Sequence, residues 1–380
     1  MGHPHLPVRL LATTNRGFES VSAAEVADLL DASAETERPG LIGFDGDGDD
    51  IARLHCRART LNRVLIELVN EPIRTPEDAY DETYALPLAE YVAPDQPIAV
   101  RSNRIGSHEF TSMDIAERVG QAVVDGLRDA TGERVPVDLD DPEVILRAFV
   151  REDRFRLAID ATGDTSLHRR PYRVRGHDAP IRPTMAAALC RLADAGPETA
   201  VVDPMCGCGT IPIEAALAAR NLPPAGDRTF AFEDLVFLDG DALARERAAM
   251  EPCAEAPAIR GSDVEAEWIA AARENAREAG VADDVTFERA DAATVDIDAD
   301  AVIVDMPFGV RTEQAGIGTV YKQFFDNLCS RDWDRLVVLT ARDDLVPFEP
   351  TRRLNVRHGR LEVAVLIVDR DASGSGQRPE

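Results

Sequence analysis

Ala200-Val-Val-Asp-Pro-Met-Cys-Gly-Cys-Gly-Thr-Ile-Pro-Ile-Glu-Ala-Ala-Leu-Ala-Ala-Arg220 reads as a short apolar strand, a glycine turn and a helix. Gly207 and Gly209 make the turn, where the missing Cβ permits positive φ and close approach of a ligand to the main chain. Thr210 is placed to cap the helix, and Pro212 falls in its first turn, where a missing N–H costs little. Asp203 ends the strand. A dinucleotide fingerprint would need Gly or Ala where Pro212 stands, and a phosphate loop would need a lysine after Gly209. What remains is a carboxylate beside a glycine turn. It suits a ligand with cationic groups, such as the amine and sulfonium of S-adenosylmethionine. The same turn also serves as a plain strand-to-helix connection.

The 380 residues are 44% hydrophobic, enough for two or three packed domains. Net charge is −27, and Lys322 is the one lysine among 42 basic residues. Surplus Asp and Glu with almost no lysine points to an organism that keeps molar salt in its cytoplasm. Such a charge would ordinarily argue against a nucleic-acid partner. In molar salt, however, the counterion-release contribution to phosphate binding is largely lost, so acidity says little about RNA. Six cysteines (Cys56, Cys190, Cys206, Cys208, Cys253, Cys329) form no C-x-x-C pair and precede no paired histidines, so no metal site is expected. No leader and no bilayer-length apolar run is read, so the expected setting is cytoplasmic, with reduced thiols and no membrane.

Upstream, strands are expected at Val8–Thr14, Leu41–Phe44 and Arg63–Val69, with helices at Ser20–Leu30 and Ile51–Arg59, making a small α/β unit. A helical segment over Pro76–Ala89 and a strand at Gln96–Arg101 follow. A helix capped by Ser112 then runs to about Ala130, with Ile115, Val119, Val123 and Leu127 on one face. Val144–Val150 and Phe155–Ile159 read as a hairpin. Ser166-Leu-His-Arg-Arg-Pro-Tyr-Arg-Val-Arg-Gly-His177 is the densest basic stretch. Its arginines and aromatic residue suit phosphate and base stacking. It reads equally as a linker whose arginines pair with local carboxylates.

Beyond the glycine turn, strands are expected at Ala258–Asp263, Val285–Glu288, Ala301–Asp305 and Leu336–Thr340, and Leu361–Asp369 is expected to close the sheet. Four carboxylates, Asp203, Asp263, Asp291 and Asp305, then stand at successive strand ends of a doubly wound α/β sheet, where open sheets bind ligands. Asp263 suits the ribose hydroxyls, Asp291 the adenine amine and Asp203 the methionyl amine, while the Gly207–Gly209 turn suits the carboxylate. In Asp305-Met-Pro-Phe308, the Asp305 side chain and the Met306 carbonyl can accept the hydrogens of an exocyclic amine. Pro307 stiffens the turn, and Phe308 offers a stacking face.

These motifs resemble those of THUMP-domain class I S-adenosylmethionine-dependent tRNA guanine-N2 methyltransferases, with Asp203–Glu214 similar to their first motif and Asp305-Met-Pro-Phe-Gly to their (N/D)-x-P-(F/Y) motif. Arg104, Ser112, Gly120 and Ser166-Leu-His-Arg-Arg170 look like the THUMP region. The resemblance implies a ferredoxin-like domain over 1–72, THUMP over 73–170, a linker over 171–185, a Rossmann-like methyltransferase domain over 186–370 and a disordered tail over 371–380. It implies S-adenosylmethionine held by Asp203, Met205, Cys206, Gly207, Gly209, Thr210, Asp263, Val264, Asp291 and Ala292. It implies tRNA as partner, gripped by its acceptor end through Arg104, His168, Arg169, Arg170 and Arg173. The sequence does not give the oligomeric state, and a monomer is favoured. The form of the first motif is more similar to the branch acting on guanine 6 than to the guanine 10 branch. Met306 stands where many relatives have proline, which leaves the backbone carbonyl in place.

Overall fold

The computed structural model describes residues 8–176, 181–307 and 314–370. Two seven-stranded sheets organise it. The first is built from β1 (Val8–Thr14), α1 (Glu19–Leu30), β2 (Glu35–Arg38), β3 (Leu41–Gly46), α2 (Gly48–Arg57), β4 (Leu61–Pro72), α3 (Pro76–Tyr84), β5 (Ile98–Ile105), α4 (Ser112–Thr131), β6 (Val144–Arg151) and β7 (Arg154–Asp160). Its strand order is β2-β3-β1-β4-β7-β6-β5. β4 pairs antiparallel with β7 from Leu65↔Asp160 to Pro72↔Arg154, so the strands before and after α3 share one continuous ladder. The hairpin of β6 and β7 forms as expected.

The four apolar residues expected on one face of α4 are all buried. Its cap differs from expectation: Thr111, not Ser112, caps the helix, in a reciprocal capping box with Asp114. β2 was not foreseen, because Glu-Thr-Glu-Arg is a polar edge strand without apolar alternation.

The second half contains α5 (Pro183–Leu192), β8 (Val201–Asp203), α6 (Thr210–Ala219), α7 (Ala242–Ala248), β9 (Ile259–Asp263), α8 (Ala266–Glu278), β10 (Val285–Arg289), β11 (Ala299–Asp305), α9 (Gln314–Cys329), β12 (Trp333–Thr340), β13 (Arg352–His358) and β14 (Leu361–Asp369). The order is β10-β9-β8-β11-β12-β14-β13, with β10, β9, β8, β11 and β12 mutually parallel. The central strands read as near-continuous apolar runs because both faces are covered. β14 does not end the sheet. It lies between β12 and β13, whose Arg-rich sequence hides an edge strand.

The segment joining the two halves is anchored by a buried ion pair. The Arg170 and Glu214 side chains are both sealed from solvent, with Nε to Oε1 at 3.1 Å. The Tyr172 hydroxyl donates to the same Oε1 at 2.9 Å, and Arg170 Nη2 donates to the Arg59 carbonyl at 2.8 Å. Arg59 in turn donates to the carbonyls of Leu217 and Leu222. Burying two ions is expensive, and removing one partner strands the other. Glu214→Ala is therefore expected to lower unfolding free energy by about 3–5 kcal/mol in urea titrations. Glu214→Gln, which keeps an acceptor for Tyr172, is expected to lose less.

Candidate active site

Parallel pairing brings the carboxyl ends of β10, β9, β8 and β11 to one edge of the sheet. Asp203, Asp263 and Asp305 are the last residues of their strands. Asp291 lies two residues beyond β10, in an exposed turn where its Oδ1 accepts the Ala293 N–H.

The glycine turn between β8 and α6 is held by these acids. Asp203 Oδ1 accepts the Met205 N–H at 3.1 Å, and Asp263 Oδ2 accepts the Gly207 N–H at 3.0 Å. Asp263 Oδ1 accepts the Glu265 N–H, so this carboxylate links the turn to the start of α8. Gly207 has φ +51° and faces open space, so a Cβ there would occupy volume left free beside the acids. Gly209 has φ +82°, and its Cβ would lie 2.9 Å from atoms of Ala272 and Phe287. One glycine thus opens the cradle, and the other allows the turn to pack on α8 and β10. Gly209 itself occupies the cap position of α6, where Thr210 was expected. The Thr210 hydroxyl instead accepts a hydrogen bond from Arg173 Nη2 at 3.2 Å.

Of the remaining expected cofactor residues, Cys206 is buried, Met205 and Ala292 are half-buried and Val264 is exposed. Burial pushes the Cys206 thiol well up. Burial also pushes the Asp203 carboxyl well above the usual carboxylate range; the charges of Asp305 and Asp263 add to this, against the Met205 N–H. A cluster of mutually repelling, desolvated carboxylates is relieved by a cation.

Asp305 supplies the second half of the site. Its Oδ1 is sealed from solvent and has no hydrogen-bond partner among the described residues. Burial pushes its carboxyl up to about 7. The Met306 N–H donates to the Leu339 carbonyl, extending the β11–β12 ladder past Asp305. Met306 is buried and Pro307 follows it, while Phe308 lies outside the described residues. An unsatisfied buried acceptor beside an open glycine cradle fits a sulfonium donor and an amine acceptor meeting at this edge.

Two supports were not found from sequence. Tyr321 of α9 donates to the Pro307 carbonyl at 3.3 Å and lies 2.7 Å from Thr340 Oγ1, which accepts the Arg342 N–H. A carbonyl only accepts, so the Tyr321 proton points at Pro307 and the Thr340 proton at Tyr321. Burial pushes the Tyr321 phenol up to about 12, so it remains a donor. Asn275 of α8, also buried, donates to the carbonyls of Cys208 and Arg175 and accepts the Arg175 N–H. It thereby ties the joining segment to the back of the glycine turn. A tyrosine eighth in a helix and a helical asparagine carry no local signal of either role.

The residues expected to face RNA divide. Arg170 is buried in its pair with Glu214 and cannot reach a nucleic acid, a correction that follows from the cost of leaving Glu214 unpaired. Arg173 is half-buried and turned to Thr210 and the Ile181 carbonyl. Arg175 pairs with Glu274. His168 is half-buried on Ser166, its imidazole pushed down to about 4 by burial and the surrounding arginines. Arg169 is exposed, and Arg104 on β5 bonds the Gly106 carbonyl and His108. His177 and the tail from Asp371 lie outside the described residues.

Residues 170–356 match an RMKL-like methyltransferase domain, 74–160 a THUMP domain and 9–65 an RlmL ferredoxin-like domain. The chain is 35% identical over 344 residues to the tRNA (guanine(6)-N2)-methyltransferase of Archaeoglobus fulgidus, covering 90% of this chain and 85% of that one. The chain belongs to the THUMP-domain methyltransferases. The enzyme of the same name from Methanocaldococcus jannaschii is 32% identical over 374 residues, covering 94% of this chain and 98% of its own. Among solved structures, SMU.472, a putative methyltransferase complexed with SAH, superposes with TM-score 0.86 at 26% identity, covering 98% of this chain and 99% of its own. TrmN from Thermus thermophilus gives TM-score 0.70 at 26% identity, covering 95% of this THUMP methyltransferase and 99% of its own chain.

Two measurements follow from this geometry. If the Asp305 carboxylate must be ionised to accept a hydrogen bond, kcat/KM for the acceptor should fall as pH drops through about 7. Asp305→Asn, with a non-titrating oxygen, should be slower and lose that limb of the profile. Tyr321→Phe releases the Pro307 carbonyl and is expected to lower kcat by about ten- to hundredfold with the cofactor KM unchanged, read by steady-state kinetics.

Proposed function

We propose that this chain transfers a methyl group from S-adenosylmethionine to the exocyclic N2 of a guanine in tRNA, and that the guanine is at position 6. The observation that carries the reading is the buried acceptor of Asp305 beside the glycine cradle, at a sheet edge where Asp203 and Asp263 add negative charge. The names of the two archaeal relatives supply the base and its position.

The bound cofactor supplies a methyl group on a positively charged sulfur. Asp203 would hold its methionyl amine, the turn of Met205, Cys206, Gly207, Gly209 and Thr210 its carboxylate end, and Asp263 with Val264 its ribose. Asp291 and Ala292 would hold the adenine. The guanine amine is a poor nucleophile because its lone pair is conjugated with the ring. Asp305 Oδ1 accepts one of its hydrogens and the Met306 carbonyl the other, which turns the lone pair out of conjugation. Asp305, with a carboxyl near 7, is matched to take the proton that nitrogen sheds as the C–N bond forms and the methyl's bond to sulfur breaks, leaving the neutral thioether S-adenosylhomocysteine. Pro307 has no N–H to compete, Tyr321 pins the Pro307 carbonyl, and Phe308 provides the stacking face for an extruded base. The THUMP-containing half grips the acceptor end, with Arg104 and Arg169 as its candidate contacts from the sequence.

Mass spectrometry of nucleosides from unmodified tRNA treated with the chain and cofactor should show N2-methylguanosine, and fragment mapping should place it at position 6. Methyl at position 10 would move the chain to the other branch, and no methylguanosine at all would overturn the reading. Asp305→Ala should abolish transfer while leaving cofactor affinity within about twofold, as expected for a group acting on the amine alone.

A further inference from the structure

Among the described residues, helices cover one face of the N-terminal sheet. Leu10, Ala12, Phe44, Ile66, Leu146 and Leu157 bury against Val26, Ile51 and Val119 of α1, α2 and α4. Strand side chains alternate, so the intervening residues stand on the opposite face. There Leu11, Leu41, Leu65 and Ala158 form a separate apolar cluster with Phe149, and no helix residue belongs to it among the described residues.

Arginine stems close that cluster instead. The registers Leu11↔Leu65, Arg147↔Ala158 and Phe149↔Arg156 put Arg9, Arg63, Arg147, Arg151 and Arg156 on the same face. Arg38 of β2 reaches over from the edge, its Cζ 5.9 Å from the centre of the Phe149 ring. Acids on this face are fewer. Glu37 pairs with Arg9 and Arg156, Glu67 lies 3.5 Å from Arg156, Asp160 takes both Arg63 and Arg147, and exposed Asp45 lies 3.6 Å from Arg9. Arg38, Arg151 and Arg154, the last directly opposite Arg151, have no carboxylate partner among the described residues. Burial, then the charges of Arg151, Arg156 and Arg16, lower the pKa of Arg38. A chain with net charge −27 thus keeps an excess of guanidinium groups on one uncovered face.

We infer that this arginine-lined face docks the sugar–phosphate backbone of an RNA stem, with Arg38 and Arg151 as phosphate contacts. The inference rests on the RNA reading above. Charge complementarity selects the occupant, since unpaired guanidinium forks match phosphate oxygens. The deep, narrow major groove of an RNA stem denies side chains its base edges, so a sheet face reads shape and phosphates. Arginines without acidic partners, Arg38, Arg151 and the exposed Arg154 opposite it, supply the attraction, while the paired ones hold the face in shape.

The test uses the full chain and a fluorescently labelled tRNA transcript. The double variant Arg38→Ala, Arg151→Ala should raise Kd about tenfold at low salt and make the slope of log K against log salt shallower by roughly one to two. Cofactor affinity and the unfolding midpoint should not move, and lysine at both positions should restore most of the affinity. Unchanged tRNA affinity and slope would overturn the inference. So would a parallel loss of cofactor affinity and unfolding midpoint, which would make the two arginines structural. Competition by polyglutamate as strong as by an unlabelled RNA hairpin would assign the face to an acidic protein. If the native chain binds the transcript through this face but does not methylate it, the reaction fails and the face stands. If the variants methylate tRNA with native KM, the face fails and the reaction stands.

Discussion

The Arg170–Glu214 pair holds the chain's two halves in one arrangement. Glu214 lies on α6, the helix that begins at the glycine turn, and Arg170 lies just past the last strand of the N-terminal sheet. Neither ion tolerates the loss of the other in so dry a place, so the arrangement is strongly specified. Arg173 on Thr210 and Asn275 on Cys208 continue the same contact along the back of the turn. The elements that would grip RNA are therefore connected by charged and polar contacts to the backbone that would cradle the cofactor.

Electrostatics at the front of the turn have the opposite character. Asp203, Asp263 and Asp305 are brought together by strand pairing although their charges repel, and burial raises the cost for Asp203 and Asp305. Hydrogen bonds from Met205 and Gly207 offset part of that cost. Stability is given up where a cation and an amine are to be received, a common compromise at functional sites.

Much of this was legible in the sequence. Strong local patterns gave the strand and glycine turn before α6, the helix after it, the acids at successive strand ends and the apolar stripe of α4. Edge strands β2 and β13 escaped because their residues face water and lack alternation. Thr210 was misjudged as a cap because Gly209, in left-handed conformation, takes that position. The basic run around Arg170 could not be resolved from composition. Whether a guanidinium meets solvent or a carboxylate depends on which strand or helix the fold sets against it, and Glu214 is 44 residues away. Tyr321 was invisible for the same reason, since its partners lie in two other segments of the chain.

The ladder that joins β4 to β7 has a mechanical meaning. Two modules sharing a continuous sheet cannot swing on a hinge between them without breaking its rungs. Bending is no easier next door, where Asn275 clasps the connecting strip. The ferredoxin-like and THUMP parts therefore meet an RNA as one piece. A guanine inside a stem would have to leave its stack to reach the Asp305 edge.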